Sequence, residues 1–145
     1  MSEITECMKE ALSHHQAGRL DRAVALYRVV LSRSPEHADA LHLSGLVSHQ
    51  QGRHDEAALQ IQKAISNCAN VAAYHNNLGA AHRACGRFDA AVSCFWDAVS
   101  LQPGLNSAWV NLVGVLNQTA KAADISRTLD AWVQRSNGCI ESLQQ

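Results

Sequence analysis

Gly18-Arg19-Leu20-Asp21-Arg22-Ala23 recurs as Gly52-Arg53-His54-Asp55-Glu56-Ala57 and again as Gly86-Arg87-Phe88-Asp89-Ala90-Ala91. Each glycine stands 34 residues after the one before it. A fixed period of this size marks an array of stacked supersecondary units, in which each unit buries its apolar face on its neighbours. Placing the glycines at position 15 of the repeat sets the register. Four units follow, 4–37, 38–71, 72–105 and 106–139, the last of them degenerate, and together they fill nearly the whole of one domain over 1–145.

The columns of this alignment have a physical logic. Position 8 holds Ala11, Gly45, Gly79 and Val113, and position 20 holds Ala23, Ala57, Ala91 and Ile125. Small residues there let two helix backbones approach. Position 24 holds the bulky Tyr27, Ile61, Phe95 and Leu129, and position 27 holds Val30, Ala64, Ala98 and Trp132. Position 32 holds Pro35, Ala69, Pro103 and Asn137. Proline at that point ends a helix, because it lacks an N–H and clashes with the preceding turn. Ala91, Val92, Phe95, Ala98 and Val99 fall on one face of a 3.6-residue period. Asp21, Asp55 and Asp89 stand at the start of each second helix, where they can accept backbone N–H bonds and complement the helix dipole. In the fourth unit Ala120 replaces the turn glycine, yet the apolar spacing persists. A second helix is therefore expected to about Arg135, with Ile125, Leu129 and Trp132 packed inward.

These columns resemble the tetratricopeptide-repeat (TPR) family across essentially the whole chain. Tyr74-His75-Asn76-Asn77-Leu78-Gly79 is very similar to the family's first-helix phrase, and Trp109 and Leu112 keep it in the fourth unit. The first unit departs from it, with Cys7 and Glu10 where Trp and Leu are usual. The resemblance implies an all-α fold, a right-handed α-α superhelix of four helix pairs.

Composition narrows the partners. The net charge of −1 gives no reason to expect nucleic acid or an anionic membrane surface. The N-terminus lacks the apolar core of a secretory signal, and no apolar run approaches a membrane span. Five cysteines, an odd number without a Cys-x-x-Cys pair, read as reduced thiols of a cytoplasmic protein. Neither a nucleophile elbow nor a phosphate-binding glycine loop occurs, so no catalytic residues and no cofactor are expected. Eight histidines raise the question of metal. No two are three or four apart, the spacing that seats a chelating pair on one helical face, so no metal site is expected either.

In the family's superhelix the first helix of each unit lines the concave groove. The resemblance therefore places Asn77, Asn111, Asn76, Arg83, His42 and His49 on a peptide-binding surface. Amides both donate and accept, which suits the backbone of an extended polypeptide. Asn77 and Asn111 share position 6, and this resembles the asparagine ladder of O-linked N-acetylglucosaminyltransferase repeats. Leu43 and Lys9 break that ladder in the first two units. The family's clamp for a C-terminal carboxylate is not matched, since Lys9 and Arg83 lie two units apart. The expected function is a non-catalytic module that binds a protein or peptide in its groove. The alternative is the substrate-recruiting arm of a larger glycosyltransferase or sulfotransferase, as in bacterial fusions of TPR arrays. Terminal units expose an unmatched face, so self-association through a terminal repeat is a further expectation.

Overall fold

The computed structural model describes residues 2–119 and 121–143. Among them run eight helices and no strand: α1 (Glu3–Gln16), α2 (Leu20–Arg33), α3 (Ala38–Gln50), α4 (His54–Asn67), α5 (Ala72–Ala84), α6 (Phe88–Leu101), α7 (Asn106–Gln118) and α8 (Ala122–Leu143). The chain gathers into two compact units, Met1–Ala69 and Asn70–Gln145. The first holds α1 to α4 and the second α5 to α8.

Three turns are built alike. Gly18, Gly52 and Gly86 adopt φ of 77°, 81° and 78°, a left-handed conformation that costs a side chain-bearing residue energy. The residue after each glycine donates its N–H five residues back: Arg19 to the His14 carbonyl at 2.9 Å, Arg53 to Ser48 at 2.8 Å and Arg87 to His82 at 2.9 Å. This is the Schellman closure of a helix end. Ala120, where the fourth unit loses its glycine, lies outside the described residues. The three aspartates fall second in α2, α4 and α6. The N-cap positions belong to Arg19, Arg53 and Arg87, which make no side-chain cap bond. Asp89 instead receives Lys121 Nζ at 3.2 Å.

The small-residue columns bring the helices together as their spacing requires. Ala11, Ala23, Ala57 and Ala91 are fully buried, as are Tyr27, Ile61 and Phe95. A Cβ on Gly45 would fall 2.7 Å from Ile61 Cγ1, and one on Gly79 would fall 2.5 Å from the Phe95 ring. Glycine at these two positions is what lets the bulky residue of the second helix reach the first. Overpacking such a crossing costs about 1–3 kcal/mol. Ala91→Leu is expected to lose that much in urea unfolding followed by tryptophan fluorescence, and an unchanged midpoint would show that the crossing has slack.

The fourth pair departs from the pattern. Its second helix forms and runs on to Leu143, past Asn137, where no proline stops it. Ile125 and Trp132 pack on the core of the second unit as expected. Leu129 does not: it is 42% exposed, and Thr128 takes the inward place at 1%. Position 8 of this unit is Val113 where the two units before it have glycine, and α8 packs less closely on α7 than α6 does on α5, with its inward face turned by one residue. Trp132 stacks on Trp109 with ring centroids 6.1 Å apart and planes at 4°, while Trp96 meets Trp109 edge-on at 5.9 Å. A bulky residue at position 27 thus has a partner here that the other units lack. Trp109 also donates its indole N–H to the Pro103 carbonyl at 2.8 Å.

Candidate functional site

The first helices supply the polar side chains. In the second unit, α5 and α7 lie side by side and are linked three times. Asn111 Nδ2 donates to Asn76 Oδ1 at 3.0 Å, and Asn76 Nδ2 donates to Ser107 Oγ at 3.4 Å. About two helical turns further along, Arg83 Nε donates to Gln118 Oε1 at 3.0 Å. The Arg83 guanidinium lies over Gly114, where a Cβ would come within 3.1 Å of Nη1. Glycine on α7 therefore gives the cation its seat. Asn76, Asn77, Arg83 and Asn111 are all half-buried. The partner of Asn111 is Asn76 and not Asn77: the bonded pair is 35 residues apart, one period plus one.

The same offset appears in the first unit. His15 on α1 is bonded to Gln50 on α3, Nε2 to Oε1, at 3.0 Å, again 35 residues apart. Gln50 Oε1 can only accept, so Nε2 carries the proton and Nδ1 is left to accept from the Tyr27 hydroxyl at 3.1 Å. Burial pushes the Tyr27 phenol up to about 12, which keeps it a donor at any physiological pH. His15, Gln50, Ser107 and Gln118 lie on the expected groove face, but spacing alone did not single them out. The signal was the offset of one period plus one, which joins position 12 of one repeat to position 13 of the next.

The two histidines expected on this surface have other surroundings. His42 is only 7% exposed. Burial drops its pKa to about 4, against a partial upward pull from Asp39 and a further downward push from His15. It is a neutral imidazole at neutral pH. His49 turns towards α4, where its Nδ1 lies 2.8 Å from Nδ1 of His54. Its pKa is lowered, first by burial and then by His54. Among the described residues no group of three or more His, Cys, Asp or Glu is gathered, and Cys7, Cys68, Cys85 and Cys94 form no disulfide. The side chain of Cys139 lies outside those described.

Comparison with known proteins agrees with this architecture. Human tetratricopeptide repeat protein 7B is 28% identical over 116 residues, which cover 70% of this chain and 14% of that protein. The chain thus spans a small fraction of that relative's length. A crystal structure of MamA superposes with a TM-score of 0.86 at 14% identity, covering 96% of this chain and 81% of MamA. The first TPR domain of Spaghetti (RPAP3), bound to an HSP90 peptide, gives 0.78 at 14% identity over 81% of this chain and 94% of that domain. A mutant of the O-GlcNAc transferase of Thermobaculum terrenum gives 0.72 at 28% identity, covering 80% of this chain and 23% of the transferase. Tetratricopeptide-repeat family models match residues 8–72 and 71–102. With its repeat glycines in left-handed turns and its small-residue columns at the helix crossings, the chain belongs to the tetratricopeptide-repeat family.

Proposed function

We propose that this chain is a non-catalytic protein-interaction module that holds an extended peptide along the face formed by α5 and α7. The observation that carries this reading is the bridged pair of helices. Asn76, Asn111, Arg83 and Gln118 are fixed by one another before any ligand arrives. Side chains held in place lose less conformational freedom on binding, so each contact contributes more of its energy. Asn77 lies beside Asn76 on α5 and adds an amide to the same face. The peptide-bound RPAP3 domain supports the class of ligand, since a domain of this fold accommodates a peptide. The odd number of cysteines without a Cys-x-x-Cys pair supports a reducing compartment, and the proposed location is the cytoplasm. No described helix is long and apolar enough to cross a membrane.

The test is the affinity of a peptide selected from a random library against the unmodified chain, read by fluorescence anisotropy. One hydrogen bond contributes about 0.5–1.5 kcal/mol net, so Asn77→Ala with Asn111→Ala is expected to weaken binding roughly tenfold. Arg28→Ala, on the exposed side of α2, is expected to leave affinity unchanged. A peptide whose affinity survives the double change and falls with Arg28→Ala would place binding elsewhere.

A second reading is favoured by one observation, the 28% identity to the Thermobaculum terrenum transferase. On that reading the repeats recruit substrate for a glycosyltransferase domain carried by the same protein. The native open reading frame decides it: transferase sequence continuous with these repeats supports the reading, and a stop codon after Gln145 without one upstream ends it.

A further inference from the structure

We propose that His49 and His54 form a two-histidine chelate for a divalent ion that prefers imidazole, cupric or nickel before zinc. The pair is made by the turn between α3 and α4. His49 lies in the last turn of α3 and His54 is the first residue of α4. Gly52, at φ 81°, reverses the chain between them, and the Arg53 N–H closes the turn on the Ser48 carbonyl at 2.8 Å. The two rings then meet with centroids 4.7 Å apart and planes at 61°. Their Nδ1 atoms are 2.8 Å apart.

That separation is the bite of a chelate. Imidazole nitrogens bind such metals at about 2.0–2.1 Å. Two nitrogens at that distance from one ion and 2.8 Å from each other subtend nearly a right angle at it. A right angle matches adjacent positions of a square-planar or octahedral ion and is narrow for a tetrahedral one. The preference for cupric and nickel ions over zinc follows from this angle, and for cupric ion from its greater general affinity as well.

The protonation state favours the ion. Two Nδ1 atoms this close share one proton, so one ring holds its proton on Nδ1 and the other on Nε2. Metal entry needs both Nδ1 lone pairs. The first ring moves its proton from Nδ1 to Nε2 by exchange with water, and the ion takes the vacated gap. Both rings stay neutral, no net proton is released and nothing is oxidised or reduced. The protein supplies two ligands and water the rest, since among the described residues no third His, Cys, Asp or Glu joins them.

Other histidines are engaged differently. His14 Nδ1 receives Arg19 Nε at 2.7 Å, and His82 Nδ1 receives Arg87 Nε at 2.9 Å. His37 Nδ1 accepts the Ala40 N–H at 3.2 Å. The expectation of no metal site rested on spacings of three or four within one helix. His49 and His54 are five apart and meet across a turn.

The experiment titrates cupric or nickel chloride alone into the full chain at neutral pH. Calorimetry is expected to show one equivalent bound, tighter for copper than for nickel and for nickel than for zinc. His49→Gln and His54→Gln are each expected to weaken it by at least about tenfold, the loss that even removal of an outer partner of a ligand causes. His14→Gln is expected to leave it unchanged. Paramagnetic broadening of amide resonances in the unmodified chain needs no variant that folds, and is expected to centre on residues 48 to 55. Broadening centred elsewhere, or affinity that survives both glutamine changes in chains with native circular dichroism, would overturn the proposal.

Discussion

Phe95→Ala is expected to destabilise the unit spanning residues 70–145 by about 3–5 kcal/mol, the range for removing a fully buried aromatic ring. Phe95 has no exposed surface and belongs to one cluster with Ala91, Ala98, Val99, Trp109 and Leu112. Its ring lies against the backbone of α5 at Gly79, where even a Cβ would fall 2.5 Å away. The cavity left by the ring would therefore be walled on one side by a helix backbone, which cannot swing in to fill it. Leu129, the residue at the same repeat position in α8, is 42% exposed, and its truncation should cost far less. All three tryptophans lie in this unit, so urea unfolding followed by their fluorescence reports on it. The pairing with Gly79 is separately testable. Gly79→Ala should destabilise the chain when Phe95 is present and stabilise it when Phe95 is alanine, because the new methyl then enters the cavity and removes a helix glycine. Residues in contact show such non-additivity, typically about 0.5–3 kcal/mol. A double change whose cost is the sum of the single ones would mean that ring and glycine do not share this space.

That contact was legible in the sequence as two columns, one small and one bulky, a fixed distance apart. The repeat period told which residues face the neighbouring helix, and it held for Gly45 with Ile61 and for Gly79 with Phe95. It failed for Leu129. A column names a face but not the roll of the helix about its axis, and that roll depends on whether position 8 leaves space. In the last unit position 8 is Val113, where the two units before it have Gly45 and Gly79. The hydrogen bonds that join the first helices were not legible. Asn77 and Asn111 share a repeat position, so spacing sets them in one row, one repeat step apart. Neighbouring first helices are offset along their axes, however, and the atoms that meet belong to Asn76 and Asn111, Arg83 and Gln118, His15 and Gln50. His49 and His54 escaped notice for a related reason. A one-helix spacing rule cannot see two side chains that a left-handed glycine folds onto each other.

Lowering the pH from 6.5 to 4 is expected to cost the unit spanning residues 1–69 about 3 kcal/mol through His42 alone. The folded-state pKa of about 4 lies below the ordinary 6.5 because the ring is buried. Above 6.5 the imidazole is neutral whether the chain is folded or not, and this group imposes no penalty. Between the two values the unfolded chain binds a proton that the folded chain refuses, so stability falls as pH falls, by about 1.4 kcal/mol for each pH unit. Below about 4 both states carry the proton and the loss is complete. His49, also lowered by burial, adds to the loss in the same direction. Urea unfolding by far-ultraviolet circular dichroism, repeated across this pH range, gives the slope, and His42→Gln should remove most of it. A slope unaltered by that substitution would mean that His42 takes its proton as readily in the folded chain as out of it.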